Sequence, residues 1–139
     1  DHRAGDLRQA LREALPDGAD VVVDPVGGDL AEPALRSLHY GGRFVIVGFA
    51  SGTIPRVPLN LVLLKGSQIR AFEFLSFMVN QPDDAGRNEA ELLDLLASGR
   101  VRPHIGARFP LDRAADALAL VGGGGAVGKV VVEVSPSPT

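Results

Sequence analysis

The 139-residue sequence contains no cysteine, no tryptophan, and only one methionine. The absence of cysteine excludes disulfides and a thiolate nucleophile within these residues, and it removes the usual ligands of a structural zinc site. It also fits a reducing compartment. The longest apolar run, residues 57–64, is far shorter than a membrane span. Because the first residues also lack a signal-peptide pattern, we expect a cytoplasmic protein.

Charge of either sign is also sparse. The net charge is −3, and charged residues make up 22% of the chain against 45% hydrophobic residues. This balance is typical of one folded domain. A slightly acidic chain with scattered arginines gives no electrostatic reason to bind nucleic acid or an anionic membrane, so we expect neither partner.

The hydrophobic pattern predicts an α/β fold. A helix capped by Asp6 is expected over residues 6–15, and the β-branched run 19–24 is typical of a central strand covered on both faces. A helix over Leu30–Leu38 and a strand over 43–49 follow, separated by Gly41 and Gly42. Right-handed crossovers make the two strands parallel neighbours.

The rest of the chain predicts one further strand, two helices and a closing strand. Two prolines argue against regular structure before Leu59, and PDDAGR is expected to be a polar loop. The predicted elements are strand 67–74, helix 88–97, helix 111–120, glycine link 122–125 and strand 129–134. The first helix is predicted to bury Leu92, Leu93 and Leu96. The second is predicted to bury the stripe of Leu111, Ala114, Ala115 and Leu118.

Two glycine-containing turns mark a candidate binding site. DPVGGD follows the first strand and GFASG follows the second. Ligands of open α/β sheets bind outside the carboxyl ends of the strands, and glycine lets the backbone approach a ligand closely. The sequence therefore predicts a site where these two turns meet.

Six segments in order resemble the C-terminal part of the medium-chain dehydrogenase/reductase superfamily, and most closely its zinc-independent NADPH:quinone oxidoreductase group. They are GADVVVDPVGG, GGRFVIVGFASG, PLNLVLLKGSQI, LLDLLASGRVRPHI, FPLDRAADAL and AVGKVVVEV. The resemblance implies that residues 1–71 are the C-terminal half of a Rossmann-type dinucleotide-binding domain. It implies that residues 72–139 return, through helices and a closing strand, toward the catalytic domain.

The resemblance also implies NADPH, or NADH, as cofactor and no metal in this chain. It places His2, with Arg3 beside it, near the 2′-phosphate, Gly28 with Gly27 near the adenine ribose, and Lys129 near the cofactor phosphates. The nicotinamide ribose would pass Val47, Gly48, Phe49 and Ala50. The main chain of Arg70, Ala71 and Phe72 would face the carboxamide. No catalytic residue is implied within the chain.

The implied activity is hydride transfer to a quinone or an α,β-unsaturated carbonyl compound. The chain alone is expected to bind NADPH weakly and to be inactive, because it lacks the Gly-rich pyrophosphate turn. The family often forms homodimers through the strand equivalent to Ser67–Phe74. Zinc-dependent alcohol dehydrogenases, enoyl reductases, a standalone dimerisation or regulatory module, and a methyltransferase remain as alternatives.

Three further features are better explained by structure than by chemistry. GGGAVGK matches the spacing of a phosphate-binding loop, but Val130 replaces the required Ser or Thr and the element order is reversed. Asp24 is expected to cap the turn that follows it. His39 is expected to end a helix, and it does not have metal-site spacing with His104.

Overall fold

A computed structural model describes residues 5–134, which divide into two compact units, the first ending at Ala85 and the second beginning at Gly86. The first unit contains α1 (Leu7–Ala14), β1 (Ala19–Asp24), a 3-10 turn (Gly28–Leu30), α2 (Ala31–Arg36), β2 (Leu38–Ile46), α3 (Leu59–Lys65), β3 (Gln68–Ala71) and α4 (Phe74–Asn80). Helix α5 (Pro82–Ala97) runs across the division. The second unit continues with β4 (Ile105–Pro110), a 3-10 turn (Leu111–Arg113), α6 (Ala114–Gly122) and β5 (Lys129–Glu133).

The first unit is built on a parallel sheet in the order β1-β2-β3. This arrangement confirms the predicted α/β fold and the predicted parallel pairing of the first two strands. Asp24 pairs with Ile46, and Ile46 pairs with Ala71. The carboxyl ends of all three strands therefore lie side by side.

One face of this sheet carries the core. Leu35 of α2 and Leu61 of α3 pack with Leu38 and Phe44 of β2, all of them buried. Within the described residues β1 lies at the edge of the sheet and Val23 is 61% exposed, so the strand is not covered on both faces as its β-branched run predicts. A β-branched run indicates a strand suited to burial, but it does not supply the elements that would cover it.

The boundary between α2 and β2 differs from the prediction. The helix ends at Arg36, and β2 begins at Leu38 and includes both glycines that were expected to precede it. A Cβ on Gly42 would lie 3.0 Å from the Ala19 carbonyl oxygen, so glycine lets β1 and β2 approach closely at an irregular point in their pairing. His39 consequently lies in β2 and does not end a helix, which corrects that prediction.

Three helical segments were not predicted. The prolines do keep residues before Leu59 irregular, as expected, but α3 and α4 then form where only a loop and a strand end were anticipated. The expected polar loop 82–87 is the start of α5 instead. Proline is favoured in the first helical turn, and the acidic side chains of Asp83 and Asp84 are stabilised by the helix dipole there.

In the second unit, β4 pairs in parallel with β5. Strand β5 confirms the predicted closing strand, whereas β4 was not predicted. The predicted buried faces are wrong: Leu118 is 74% exposed, Leu92, Leu93 and Leu96 are exposed, and Ala117 is the buried residue of α6. An apolar stripe shows which face of a helix is apolar, not that a partner covers it. No helix within residues 5–134 is long and apolar enough to cross a membrane.

Candidate cofactor site

The carboxyl edge of the first sheet brings together most of the predicted site residues. Because Asp24, Ile46 and Ala71 are register partners, the segments that follow them start from the same edge. These segments contain Gly28, the turn 47–50 and Phe72. The structure therefore places the two glycine-containing turns and the end of β3 as neighbours.

Asp24 organises the turn after β1. Asp24 is only 7% exposed, and its carboxylate accepts hydrogen bonds from the amides of Val26 at 2.8 Å and Gly27 at 2.9 Å. Hydrogen bonds between a buried carboxylate and backbone N–H groups are among the stronger ones in proteins. The predicted capping role of Asp24 is confirmed.

The turn after β2 is tied to the turn after β1 through the main chain. The amides of Val47, Ala50 and Ser51 donate to the carbonyl oxygens of residues 24–26 over 2.9, 3.0 and 3.0 Å. Further along, the Gly28 amide donates to the Thr53 carbonyl oxygen at 3.0 Å. Both turns are consequently held in fixed positions, which pre-organises the edge for a ligand.

Glycine is required in these turns by the chain itself. Gly27 has φ +68°, and a Cβ there would lie 2.8 Å from Cδ1 of Phe49. A Cβ on Gly28 would lie 2.9 Å from the Ser51 hydroxyl, and one on Gly48 would lie 3.3 Å from the Pro25 carbonyl oxygen. The approach of a ligand to these glycines stays a prediction, whereas in the structure they let the two turns pack together.

The side chain of Phe49 packs against other residues of the first unit. Its ring reaches toward Gly27 and lines an apolar cavity of about 150 Å³ between α2 and the sheet, together with Leu35 and Phe44. Phe49 is nevertheless 41% exposed, so part of its surface stays open to a ligand. Within residues 5–134, the amide N–H groups of Gly48 and Phe49 have no hydrogen-bond partner, so they are available donors at this edge.

The end of β3 offers main-chain groups as well. The Phe72 amide donates to the Ile46 carbonyl oxygen at 2.9 Å, so this N–H continues the ladder and is not free for a ligand. The Phe72 ring contacts the Phe77 ring, with centroids 5.2 Å apart. Arg70 lies one pair before the edge, opposite Val45, and is exposed.

Two of the predicted site positions are not part of this edge as described. Lys129 is the first residue of β5 in the second unit, where its amide donates to the His104 carbonyl oxygen and its side chain is exposed. His2, with the neighbouring Arg3, lies outside the described residues. No group of three His, Cys, Asp or Glu side chains that could hold a metal ion occurs within residues 5–134.

Sequence reasoning missed the environment of His39. Its Nε2 lies 2.8 Å from the Asp20 carboxylate, and its Nδ1 contacts the Tyr40 carbonyl oxygen. The hydrogen bond to Asp20, followed by that to Tyr40, raises the pKa of His39 above its usual value of 6.5. Asp20 is 19 residues away in sequence, so the pair becomes visible only once the register of β1 and β2 is known.

Comparison with known proteins gives a consistent result. The sequence profile of the family described as zinc-binding dehydrogenase matches residues 1–132. The chain is 38% identical over 131 residues to quinone oxidoreductase-like protein 2 of Bos taurus, covering 94% of the chain and 38% of that protein. It is also 27% identical over 119 residues to the highly reducing polyketide synthase PKS6 of Gibberella zeae, covering 86% of the chain and 5% of the synthase.

Solved structures show the same likeness. The structure of mycobacterial Rv1454c complexed with NADPH superposes with a TM-score of 0.76 at 26% identity, covering 91% of the chain and 38% of that protein. The chain thus spans less than half the length of these relatives.

Proposed function

The chain belongs to the zinc-binding dehydrogenase family, within the medium-chain dehydrogenase/reductase superfamily, and we propose that it forms the C-terminal part of an NADPH-dependent oxidoreductase. The proposed reaction is hydride transfer to a quinone or an α,β-unsaturated carbonyl acceptor. The bovine relative is named as quinone oxidoreductase-like, which supports this acceptor class.

One observation carries the proposal. The two glycine-containing turns and the end of β3 meet at the carboxyl edge of a parallel sheet, with the amides of Gly48 and Phe49 unpaired within residues 5–134. This is the edge at which open α/β sheets bind their ligands. The likeness to a structure that contains NADPH supports a nicotinamide cofactor at this place.

In this proposal each segment has a distinct role. The turn Val47–Ala50 flanks the nicotinamide ribose, the main chain of 70–72 faces the carboxamide, and Gly28 with Gly27 passes the adenine ribose. His2 and Arg3 favour NADPH over NADH through its 2′-phosphate, and Lys129 contacts the cofactor phosphates. Residues 1–71 then belong to the dinucleotide-binding domain, and residues 72–139 belong to the return segment.

A bound NADPH would supply the hydride in such a reaction. The residues of this chain position its nicotinamide ring. Hydrogen bonds from the turn after β2 to the turn after β1 keep the edge rigid, and the apolar side chains of Val47 and Phe72, both partly exposed, offer a wall that excludes water.

We further propose that the chain alone binds NADPH weakly and has no turnover, since it spans only 38% of the bovine relative. The proposal includes no metal site in this chain. A homodimer is proposed through the strand Ser67–Phe74, and the position of β3 at the edge of the described sheet supports this.

Enoyl reduction is the second candidate activity, and the polyketide synthase match favours it specifically. Both activities would use the same cofactor edge, so they differ in the acceptor. A zinc-dependent alcohol dehydrogenase activity would require metal ligands outside residues 5–134.

Steady-state oxidation of NADPH by the product of the complete reading frame tests the proposal. With benzoquinone, an enone, an enoyl thioester and an aldehyde as parallel acceptors, we expect turnover with the quinone or the enone. The Gly48→Ala variant should raise KM for NADPH about tenfold, equivalent to about 1.4 kcal/mol, because its Cβ crowds the ribose and the Pro25 carbonyl oxygen.

The Gly86→Ala variant is the matched control, because a Cβ there meets no atom within 4 Å and lies in the other unit. It should leave KM unchanged. Absence of NADPH oxidation with every acceptor, or an unchanged KM for Gly48→Ala, would contradict the proposal.

A further inference from the structure

Four cations line a small cavity on the helical side of the first unit. The cavity has a volume of about 260 Å³ and is lined by Arg8, Arg12, Arg36 and Lys65 with Pro33 and Ser37. None of its lining residues is a carboxylate, although the chain as a whole has a net charge of −3. We call this set of four side chains the cation cluster.

A second cavity adjoins the first and shares Arg8, Pro33 and Arg36 with it. Its volume is about 550 Å³. It adds one more cation, Arg56, and a wall of different character. That wall comprises Ile54 and Pro55 as apolar residues, and Thr53, Gly28, Asp29 and Glu32 as polar groups. The two cavities together have the size of a small-molecule site.

Part of the cation cluster has a structural explanation. Arg12, Arg36 and Lys65 each lie in the last turn of a helix, where the helix dipole favours a positive charge. Arg36 is also held by the Glu32 carboxylate at 2.6 Å, and the Lys65 ammonium donates to the Leu38 carbonyl oxygen. The Glu32 carboxylate compensates the charge of Arg36, whereas Lys65 bonds to a neutral carbonyl oxygen and keeps its charge.

Arg8 and Arg56 lack such an explanation. Arg8 lies in the first turn of α1, where the helix dipole disfavours a cation, and Arg56 lies in a loop. Within residues 5–134, neither guanidinium has a hydrogen bond or an ion pair. In the smaller cavity the free guanidinium of Arg8 lies with the anchored Arg36 and Lys65, and Arg56 adds a second free guanidinium in the adjoining cavity. Guanidinium groups suit a phosphate because they donate several charge-assisted hydrogen bonds to its oxygens.

We propose that these adjoining cavities bind a small organic phosphate. The phosphate would lie among the cation cluster, and the organic part would occupy the larger cavity against Ile54 and Pro55. Three cations of the cluster end helices that lead directly into β1, β2 and β3, so they lie toward the amino ends of these strands. The phosphate position is therefore away from the carboxyl edge, whereas the larger cavity reaches Gly28 of the turn after β1. The proposal does not depend on the proposed function.

Calorimetric titration of the chain at constant ionic strength tests the proposal, with phenyl phosphate, inorganic phosphate and benzyl alcohol as probes. We expect saturable binding of phenyl phosphate, weaker binding of inorganic phosphate and none of benzyl alcohol. The double variant Arg8→Gln/Arg12→Gln should weaken phenyl phosphate binding by about tenfold or more, since each guanidinium removed deletes a charge-assisted hydrogen bond.

The double variant Arg43→Gln/Arg100→Gln is the matched control, because it removes the same charge from two exposed positions outside both cavities. It should bind phenyl phosphate as the unmodified chain does. Equal weakening in both double variants, or no saturable binding by the unmodified chain, would overturn the proposal. Amide NMR shifts on the unmodified chain give a second readout: shifts in residues 8–12 and 33–37 support the site, and shifts confined to residues 47–50 contradict it.

Discussion

The substitution Gly27→Ala tests the idea that the two turns of the carboxyl edge are locked together. Gly27 has φ +68°, and a Cβ would lie 2.8 Å from Cδ1 of Phe49 and 3.1 Å from the Thr53 carbonyl oxygen. The φ/ψ pair of Gly27, +68°/−147°, lies in a region essentially confined to glycine and costs another residue about 1–3 kcal/mol, and displacing a packed ring costs about 1–3 kcal/mol more. We therefore expect the variant to lower the free energy of unfolding of the first unit by about 2–6 kcal/mol.

Urea denaturation followed by tyrosine fluorescence measures this unit selectively, because Tyr40 is the only tyrosine and there is no tryptophan. The matched variant is Gly52→Ala, whose φ is +76° but whose Cβ meets no atom within 4 Å. It should show only the backbone cost of about 1–2 kcal/mol. Equal losses of unfolding free energy in the two variants would refute the packing contribution. A Gly27→Ala protein as stable as the unmodified chain would refute both the packing and the backbone contribution.

Three other substitutions have defined outcomes. Asp24→Ala leaves two amides of the following turn without their buried acceptor and should lower unfolding free energy by about 2–4 kcal/mol, whereas Asp24→Asn, which keeps one acceptor oxygen, should lose less in the same urea assay. The raised pKa of His39 means that its bond to Asp20 stabilises the fold fully below its usual pKa of 6.5, and that this contribution disappears as pH rises through the raised value. His39→Gln should remove this pH dependence of stability. Urea midpoints of the variant and the unmodified chain at about pH 5.5 and about pH 8.5 measure it, and a variant with the same pH dependence as the unmodified chain would contradict the role of His39. Gly86 lies in the interior of α5 with open space around it. Gly86→Ala should therefore raise the free energy of unfolding by about 0.5–1 kcal/mol, and a lower free energy of unfolding would contradict the assigned helix.

The sequence allowed much of the first unit to be predicted because its signals are local. Asp6 does cap α1, accepting hydrogen bonds from the amides of Arg8 and Gln9. The β-branched run forms β1, and Asp24 caps the turn after it. The candidate site could be assigned to the carboxyl edge because parallel pairing brings strand ends together.

The errors arose where the outcome depends on distant contacts. Nothing local shows whether a β-branched strand lies at the centre or the edge of a sheet, so Val23 was expected to be buried and is exposed. For the same reason, Leu92, Leu93 and Leu96 of α5 were expected to be buried and are exposed. The direction of the Phe49 ring, the pairing of His39 with Asp20 and the convergence of arginines from α1 and α2 all depend on how elements pack.

Hydrogen–deuterium exchange of the complete reading-frame product, with and without NADPH, tests the central claim most directly. The account predicts that NADPH slows exchange of the amides in residues 47–50 and 70–72, with the Gly48 and Phe49 amides most strongly affected because they lack a partner within residues 5–134. NADPH that leaves exchange in these segments unchanged, or that protects other segments instead, would contradict the assignment of this edge as the cofactor site.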